Sequence, residues 1–305
     1  MGQLVKLQDY ISRYESGIYK YPSRFIRLKR RQWEQMKRSW EAQNEPEIIE
    51  EFEKVQWDEK REKKKIFTKL TGWLHRNADS DSDSEEILFR TEEQSSFIPQ
   101  SIDQLKKHFL DEIFHVQILW ASSTLTERSY VDSSFYKEEQ LKFLLQRLPD
   151  TFLLFYRPLF LLKKAPVEGE SIILTPTEVY VLLFLEEEKD AVFVEGGGRF
   201  WEKRIQKQKK KLVNPMIRLN RTETIIRSIF QADAIDLPIK KLIVSRNGYI
   251  DFPSVPFGVT IVDQRNFHEW LQKAQSFSSP IKHMQLKAAQ SIFQYCKTNA
   301  IPRVD

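Results

Sequence analysis

Cysteine, glycine and long apolar runs are all scarce in this chain of 305 residues. It has one cysteine, Cys296, and nine glycines. A single thiol has no partner for a disulfide, which excludes a disulfide-stapled scaffold and suits a reducing compartment. So few glycines exclude a collagen-like repeat. The longest unbroken apolar run, Val179 to Leu185, is only seven residues, far short of a membrane span. The opening MGQLVKLQDY lacks the apolar stretch of a signal peptide. It also misses the myristoylation pattern, because Lys6 stands where Ser or Thr is required. These absences predict a soluble, cytoplasmic protein without a membrane partner. With 41% hydrophobic residues the chain can build a core, so wholesale disorder is excluded. No internal repeat is visible.

The net charge of +5 says less than its distribution. Residues 1–75 hold 17 Lys and Arg against 12 Asp and Glu, whereas residues 76–96 hold seven acids and two bases. The alternating Ser and Asp of the second stretch cannot bury enough surface to offset chain entropy, so it reads as a solvated linker. Residues 199–211, RFWEKRIQKQKKK, carry seven bases and one acid. On a helix face such a run is either solvated surface or an attractor of phosphate.

Periodicity predicts the elements. Phe25, Leu28, Trp33, Met36 and Trp40 recur at helical spacing, with Arg24, Arg27, Lys29, Arg30, Arg31, Lys37 and Arg38 on the other faces. Pro22 marks the start of this basic helix. Pro46 separates it from a second stripe, Ile48, Ile49, Phe52 and Val55. The apolar stripe either packs on the rest of the chain or docks on a partner. From Ser101 onward the pattern becomes globular. Helices are predicted around Ile102–Val116 and Glu138–Leu148. Buried strands follow at 151–165, 170–176 and 178–188, then a helix after Asn214-Pro215, strands at 241–245 and 259–263, and a helix opening at Phe267. This order predicts an α/β fold with helices covering a mixed sheet. The expected organisation is a basic helical region at 1–75, an acidic linker at 76–96, the α/β domain at 97–275, and a C-terminal helix and tail at 276–305.

Smaller motifs carry little chemistry. The five histidines, at 75, 108, 115, 268 and 283, show no zinc-ligand spacing. Glu195-Gly196-Gly197-Gly198 lacks the Gly-Lys-Ser/Thr of a phosphate loop and reads as a hairpin tip. Ser122 and Ser123 lack a nucleophile elbow and read as backbone-bonding residues at a helix end, with a pocket lining as the other reading. Asn214 is placed to cap the helix beginning at Pro215.

From Glu138 to about Leu271, under half of the chain, the sequence resembles the nuclease-related domain (NERD) family of PD-(D/E)xK, restriction-endonuclease-like proteins. The resemblance rests on Glu138 with Leu141, Leu145 and Leu148, the hairpin GESIILTPTEVYVLLFL with Glu170 in the Asp slot and Pro176 in the turn, Trp201, and Asn214-Pro215. It implies a restriction-endonuclease-like mixed sheet flanked by helices. It also puts Leu183 and Leu185 where the family has its catalytic Glu and Lys. Leucine can neither hold a divalent metal nor polarise water. The resemblance therefore implies a non-catalytic nuclease-like protein that binds DNA, RNA or a nucleic-acid-processing partner, with no cofactor. Its expected phosphate contacts are Arg199, Lys203, Arg204, Lys207, Lys209, Lys210, Lys211, Arg218 and Arg221. One alternative is a Mg-dependent nuclease using Glu138, Glu170, Glu187 and Lys189, through the literal Glu-x-Lys four residues past the expected slot. The other is an adaptor whose Trp33, Met36 and Trp40 dock on a partner protein.

Overall fold

The computed structural model describes residues 1–44, 99–162, 165–206 and 208–303. The second N-terminal stripe, the acidic linker, His75 and Lys207 lie outside the described residues.

In chain order the elements are β1 (Gln3–Leu7), α1 (Arg13–Gly17), α2 (Tyr21–Asn44), α3 (Ile102–Trp120), β2 (Glu127–Arg128), a 3-10 turn (Ser133–Lys137) and α4 (Glu139–Arg147). The strands β3 (Leu153–Tyr156), β4 (Leu159–Leu162), β5 (Ala165–Glu168), β6 (Ser171–Leu174), β7 (Val179–Phe184), β8 (Val192–Val194), β9 (Phe200–Ile205) and β10 (Gln208–Val213) follow. Then come α5 (Pro215–Ala232), β11 (Ile239–Val244), β12 (Tyr249–Asp251), β13 (Val259–Val262), α6 (Phe267–Gln275), α7 (His283–Tyr295) and β14 (Ile301–Pro302). Among the described residues no helix is long and apolar enough to cross a membrane.

The protein is α/β, with a six-stranded mixed sheet in the order β1-β3-β6-β7-β11-β13. β3, β6 and β7 form an antiparallel meander, whereas β11 runs parallel to β7 and β13 runs parallel to β11. The apolar runs are continuous because both sheet faces are covered. Leu154, Ile173, Leu182, Leu242 and Val244 face a cluster with Phe114 and Ile118 of α3 and Leu141, Leu144 and Leu145 of α4. Val181, Leu183 and Ile243 face the opposite cluster, with Met216 and Leu219 of α5 and with Phe193 and Trp201. Each such side chain contributes about 1.5–3 kcal/mol by leaving water.

Two regions differ from the sequence-based expectation. Residues 1–31 and 110–305 form one compact unit, and residues 32–109 form another. The chain start is thus no separate basic region: β1 is fully buried and pairs in parallel with β3. Its polar residues conceal it, since buried Lys6 donates to Thr298 Oγ1 at 2.7 Å and buried Gln3 donates to the Asp150 carbonyl at 2.6 Å. The C-terminal α7 likewise belongs to this unit, where Phe293 packs on Phe155 with ring centroids 4.9 Å apart. Within the second unit, Trp33 packs on Phe109 with tilted rings and centroids 5.2 Å apart, and Trp40 donates to the Pro99 carbonyl at 2.7 Å. Part of the aromatic stripe of α2 therefore packs on its own chain.

The second difference is the basic run, which is a β-hairpin and not a helix. β9 and β10 pair antiparallel, at the edge of a four-stranded sheet ordered β10-β9-β8-β12. Alternation explains it: Trp201 and Lys203 point inward and are buried, while Phe200 and Arg204 point out. The triple glycine is the turn between β8 and β9, as expected. A side chain on Gly196 would come within 2.5 Å of the Phe200 carbonyl oxygen, and Gly197 has a φ of +67°.

Candidate active site

Titratable residues converge where β3 ends and β6 begins. At this end of the sheet, helices from both layers bring in side chains. Extending the β3–β6 register from Phe155 opposite Ile172 sets Arg157 opposite Glu170. α4 contributes Glu138 at its N-cap. The Glu138 carboxylate makes no capping hydrogen bond and lies 3.8 Å from Arg157 Nη2. From the other layer, α5 contributes Arg218, Arg221 and Thr222. Asn214 starts that helix as expected, its side chain accepting from the Met216 N–H at 2.9 Å ahead of Pro215.

Glu170 is the centre of the cluster. Its side chain is 7% exposed, and Oε1 lies 2.5 Å from Nε of Arg218, which is 51% exposed. The Glu170 N–H donates to Thr222 Oγ1 at 2.9 Å, and that hydroxyl donates in turn to the Arg218 carbonyl at 3.2 Å. Burial pushes the Glu170 carboxyl above its ordinary pKa, while the charges of Arg218 and Arg157 pull the other way. Tyr156, at the end of β3, has a buried hydroxyl with no partner at hydrogen-bond geometry. Burial raises its pKa strongly; the charge of Arg157 opposes the rise, and the nearby Glu138 and Glu170 carboxylates add to it. Arg157 adopts a φ of +45° immediately before Pro158, a strained backbone for a bulky residue. Strain, a buried hydroxyl and a desolvated carboxylate beside arginines together make this cluster the candidate functional site.

The structure thus brings together Glu138, Glu170, Arg218 and Arg221 of the residues singled out in the sequence. Arg218 and Arg221 belong to this cluster and not to the basic run, since Arg221 Nη2 donates to the Glu168 carbonyl at 3.0 Å. Glu187 and Lys189 are elsewhere. β6 pairs with β7 so that Ser171 faces Leu182, which sets Glu170 opposite Leu183. Glu187 is four residues further on, roughly 13 Å along an extended chain. It is exposed, in an ion pair with Lys203, and Glu188 lies 3.3 Å from the same ammonium. Lys203 is therefore a buried partner of two acids and no free phosphate contact. Arg204 pairs with Glu202, which also lies 3.7 Å from Lys209.

The arrangement does not suit the divalent cation that the nuclease alternative requires. Leu183 is buried, Leu185 packs on the same cluster, and the carboxylates of Glu138 and Glu170 face guanidinium groups. Among the described residues no three His, Cys, Asp or Glu side chains gather as a metal site. The described histidines do not assemble either: His115 packs on Tyr136, His283 on Tyr19, and His268 contacts Gln272. Ser122 and Ser123 donate to the carbonyls of Ile118 and Leu119 at 2.8 and 2.7 Å and so finish α3, as expected of residues at a helix end. Sequence reasoning missed Tyr156, Arg157 and Thr222. The one available signal was Tyr-Arg-Pro interrupting the apolar run TFLLFYRPLFLL.

No protein-family model matches the chain, and no solved structure matches it. One curated relative does. An RNA 2',3'-cyclic phosphodiesterase of Geobacillus stearothermophilus is 39% identical over 117 residues. The match covers 38% of this chain and 36% of the relative, so the chain spans little more than a third of that protein's length. A relative named for catalysis on RNA overturns the expectation of a non-catalytic, NERD-type binding protein, and the pseudonuclease description falls with it. The physical reason is that the earlier reading rested on two leucines in a metal-binding motif.

Proposed function

We propose that this chain is a phosphodiesterase acting on RNA, which opens a terminal 2',3'-cyclic phosphate at the cluster around Glu170. The observation that carries this reading is the Glu170 carboxylate itself, held nearly out of water with a raised pKa and 2.5 Å from half-exposed Arg218. The reaction class and the substrate are taken from the relative's name.

The chemistry asks for a base, a charge clamp and a rigid frame. Ionised Glu170 accepts a proton from water as its oxygen bonds to phosphorus. The bond from phosphorus to one ribose oxygen breaks; that oxygen takes up a proton from solvent while Glu170 releases the one it accepted, leaving a 2'- or 3'-phosphate. Negative charge grows on the phosphoryl oxygens, where the guanidiniums of Arg218 and Arg157 counter it; a planar fork suits phosphate oxygens. A carboxylate with a pKa nearer the working pH is a stronger base than an ordinary surface Glu. Glu138 fixes Arg157, and Thr222 fixes the backbone beside Glu170. A cytoplasmic location accompanies this reading, supported by the lone thiol of Cys296.

The test is hydrolysis of an RNA oligomer ending in a 2',3'-cyclic phosphate, with the 2'- and 3'-phosphate products resolved. Wild type should open the ring, and Glu170→Gln should lose that activity. A glutamine variant that turns over at the wild-type rate refutes the assignment.

A further inference from the structure

The outward face of the β9–β10 hairpin has a composition that edge-strand protection does not explain. Lysines on an edge strand commonly serve to prevent pairing with another chain. Here they accompany a half-exposed aromatic ring. Cross-strand register sets Lys209 opposite Arg204, Lys211 opposite Glu202, and Val213 opposite Phe200. Since side chains alternate, Phe200, Arg204, Lys209, Lys211 and Val213 share one face, with Glu202 the one acid among them. Phe200 is 48% exposed and Val213 is 52% exposed. Arg199 extends the face, its guanidinium 5.9 Å from the Phe200 ring centre. Lys211 makes no ion pair among the described residues, and Lys209 has only the 3.7 Å contact with Glu202. On the opposite face Trp201 is buried in the core and buried Lys203 is held by Glu187 and Glu188, while Gln208 and Lys210 of β10 stay exposed.

The hairpin also leads to the site. β10 runs through Asn214 directly into α5, whose first turn carries Arg218, and the Asn214 N–H donates to the Arg199 carbonyl at 2.9 Å. Positive groups therefore follow one another from the hairpin face to the helix that holds Glu170. The N-terminal end of that helix adds its own partial positive charge.

We infer that this face is a platform for single-stranded RNA, with one unpaired base stacked on Phe200 and backbone phosphates held by Lys209, Lys211 and Arg204. An exposed ring among cations on a sheet is the chemistry that recognises unpaired nucleotides, whose bases offer a π-face and whose phosphates are regularly spaced. A protein surface would not require cations around the ring, and a duplex would keep its bases away from it. The choice of RNA rests on the proposed phosphodiesterase activity; the surface chemistry stands apart from it.

The test is fluorescence anisotropy of the full chain with a labelled, uncleavable single-stranded RNA dodecamer over a range of salt. Affinity should fall with salt, by a log–log slope of about −0.7 for each phosphate neutralised. Lys209→Gln with Lys211→Gln should weaken binding and reduce the slope by about 1.4, corresponding to two lost contacts. Phe200→Ala should weaken binding by roughly tenfold and leave the slope unchanged, because it removes stacking and no charge. Double-stranded RNA of the same length should compete poorly. No binding by wild type, an unchanged slope in the double variant, or equal competition by duplex would each overturn the platform. Because the probe is not cleaved, a failure of Glu170 chemistry leaves this result untouched, and a failed platform leaves the cyclic-phosphate assay standing.

Discussion

Glu170 and Glu187 are the same residue type in the same hairpin, each a candidate for acid–base chemistry from the sequence, and their surroundings separate them. Glu170 immediately precedes β6 at the end of the sheet where two helix layers meet, and desolvation raises its pKa. Glu187 follows β7 at the same open end of the hairpin but beyond its last paired residues, exposed and paired with Lys203. A surface carboxylate paired with lysine stays hydrated and contributes little to stability. A carboxylate kept from water beside an arginine that can reach solvent is costly to maintain, and such sites usually persist for function. What separates the two carboxylates is burial against the sheet end or exposure beyond it, more than any literal Glu-x-Lys string.

The strongest way to break the comparison is to neutralise Glu170. Glu170→Gln should lower turnover of a cyclic-phosphate RNA by roughly 10²–10⁴-fold, the usual contribution of a positioned acid or base. The fold should survive, since a neutral amide removes a buried charge and Arg218 is half exposed. A variant that loses activity only because it unfolds would show a lowered melting temperature, and the catalytic assignment would fail. Leu183→Glu is the converse experiment, placing a carboxylate in the slot that the family resemblance reserves for one. Leu183 is in the core beneath α5, so an unpaired charge there should cost about 3–5 kcal/mol in urea denaturation and restore no metal-dependent cleavage.

Much of the fold was legible because its signals are strong. Apolar runs such as Val179–Leu185 arise where a strand is covered on both faces, and Asn214-Pro215 is a local start signal that the helix obeys. β1 was not legible, since Lys6 and Gln3 become core residues only through partners far away in sequence, at Thr298 and Asp150. The basic run was misread because seven bases obscure the alternation of Trp201 and Lys203 with Phe200 and Arg204. Part of the candidate site was visible, as Glu138, Glu170, Arg218 and Arg221. Tyr156 and Arg157 gain meaning only when β3 pairs with β6 and sets Arg157 opposite Glu170, and no local pattern carries that register.

Smaller changes sharpen the contrast. Arg218→Lys keeps the charge but loses the planar fork, and should reduce turnover by roughly 10–10²-fold with little change in stability. The pH profile gives an independent reading. Protonated Glu170 cannot take a proton from water, so kcat/KM should rise with pH through a pKa above the ordinary carboxylate range. The same shift fixes a sign for stability. A raised pKa means the folded chain holds this proton more tightly than the unfolded chain, so the contribution of Glu170 is present at acid pH. It is lost as pH rises from the ordinary Glu value of about 4.3 through the raised one. Glu170→Gln lacks that loss, so its stability relative to wild type should increase over the same interval when denaturation is followed at both ends.

The smallest expected effect belongs to Glu187, and it is what gives the comparison its edge. Its carboxylate is about half exposed and shares the Lys203 ammonium with Glu188, so removing its charge leaves Lys203 with one acid still in place. Glu187→Gln should therefore change stability by no more than about 0.5 kcal/mol, the range of a solvated pair, and should leave cyclic-phosphate turnover within about twofold of wild type. Removing both acids, with Glu187→Gln and Glu188→Gln together, should cost more than the sum of the single changes, because a buried ammonium then lacks a counter-ion. That non-additivity is measurable by a double-mutant cycle in urea. If instead the single Glu187→Gln change abolished turnover, the chemistry would belong to the segment beyond β7, and Glu170 would be a structural ion pair.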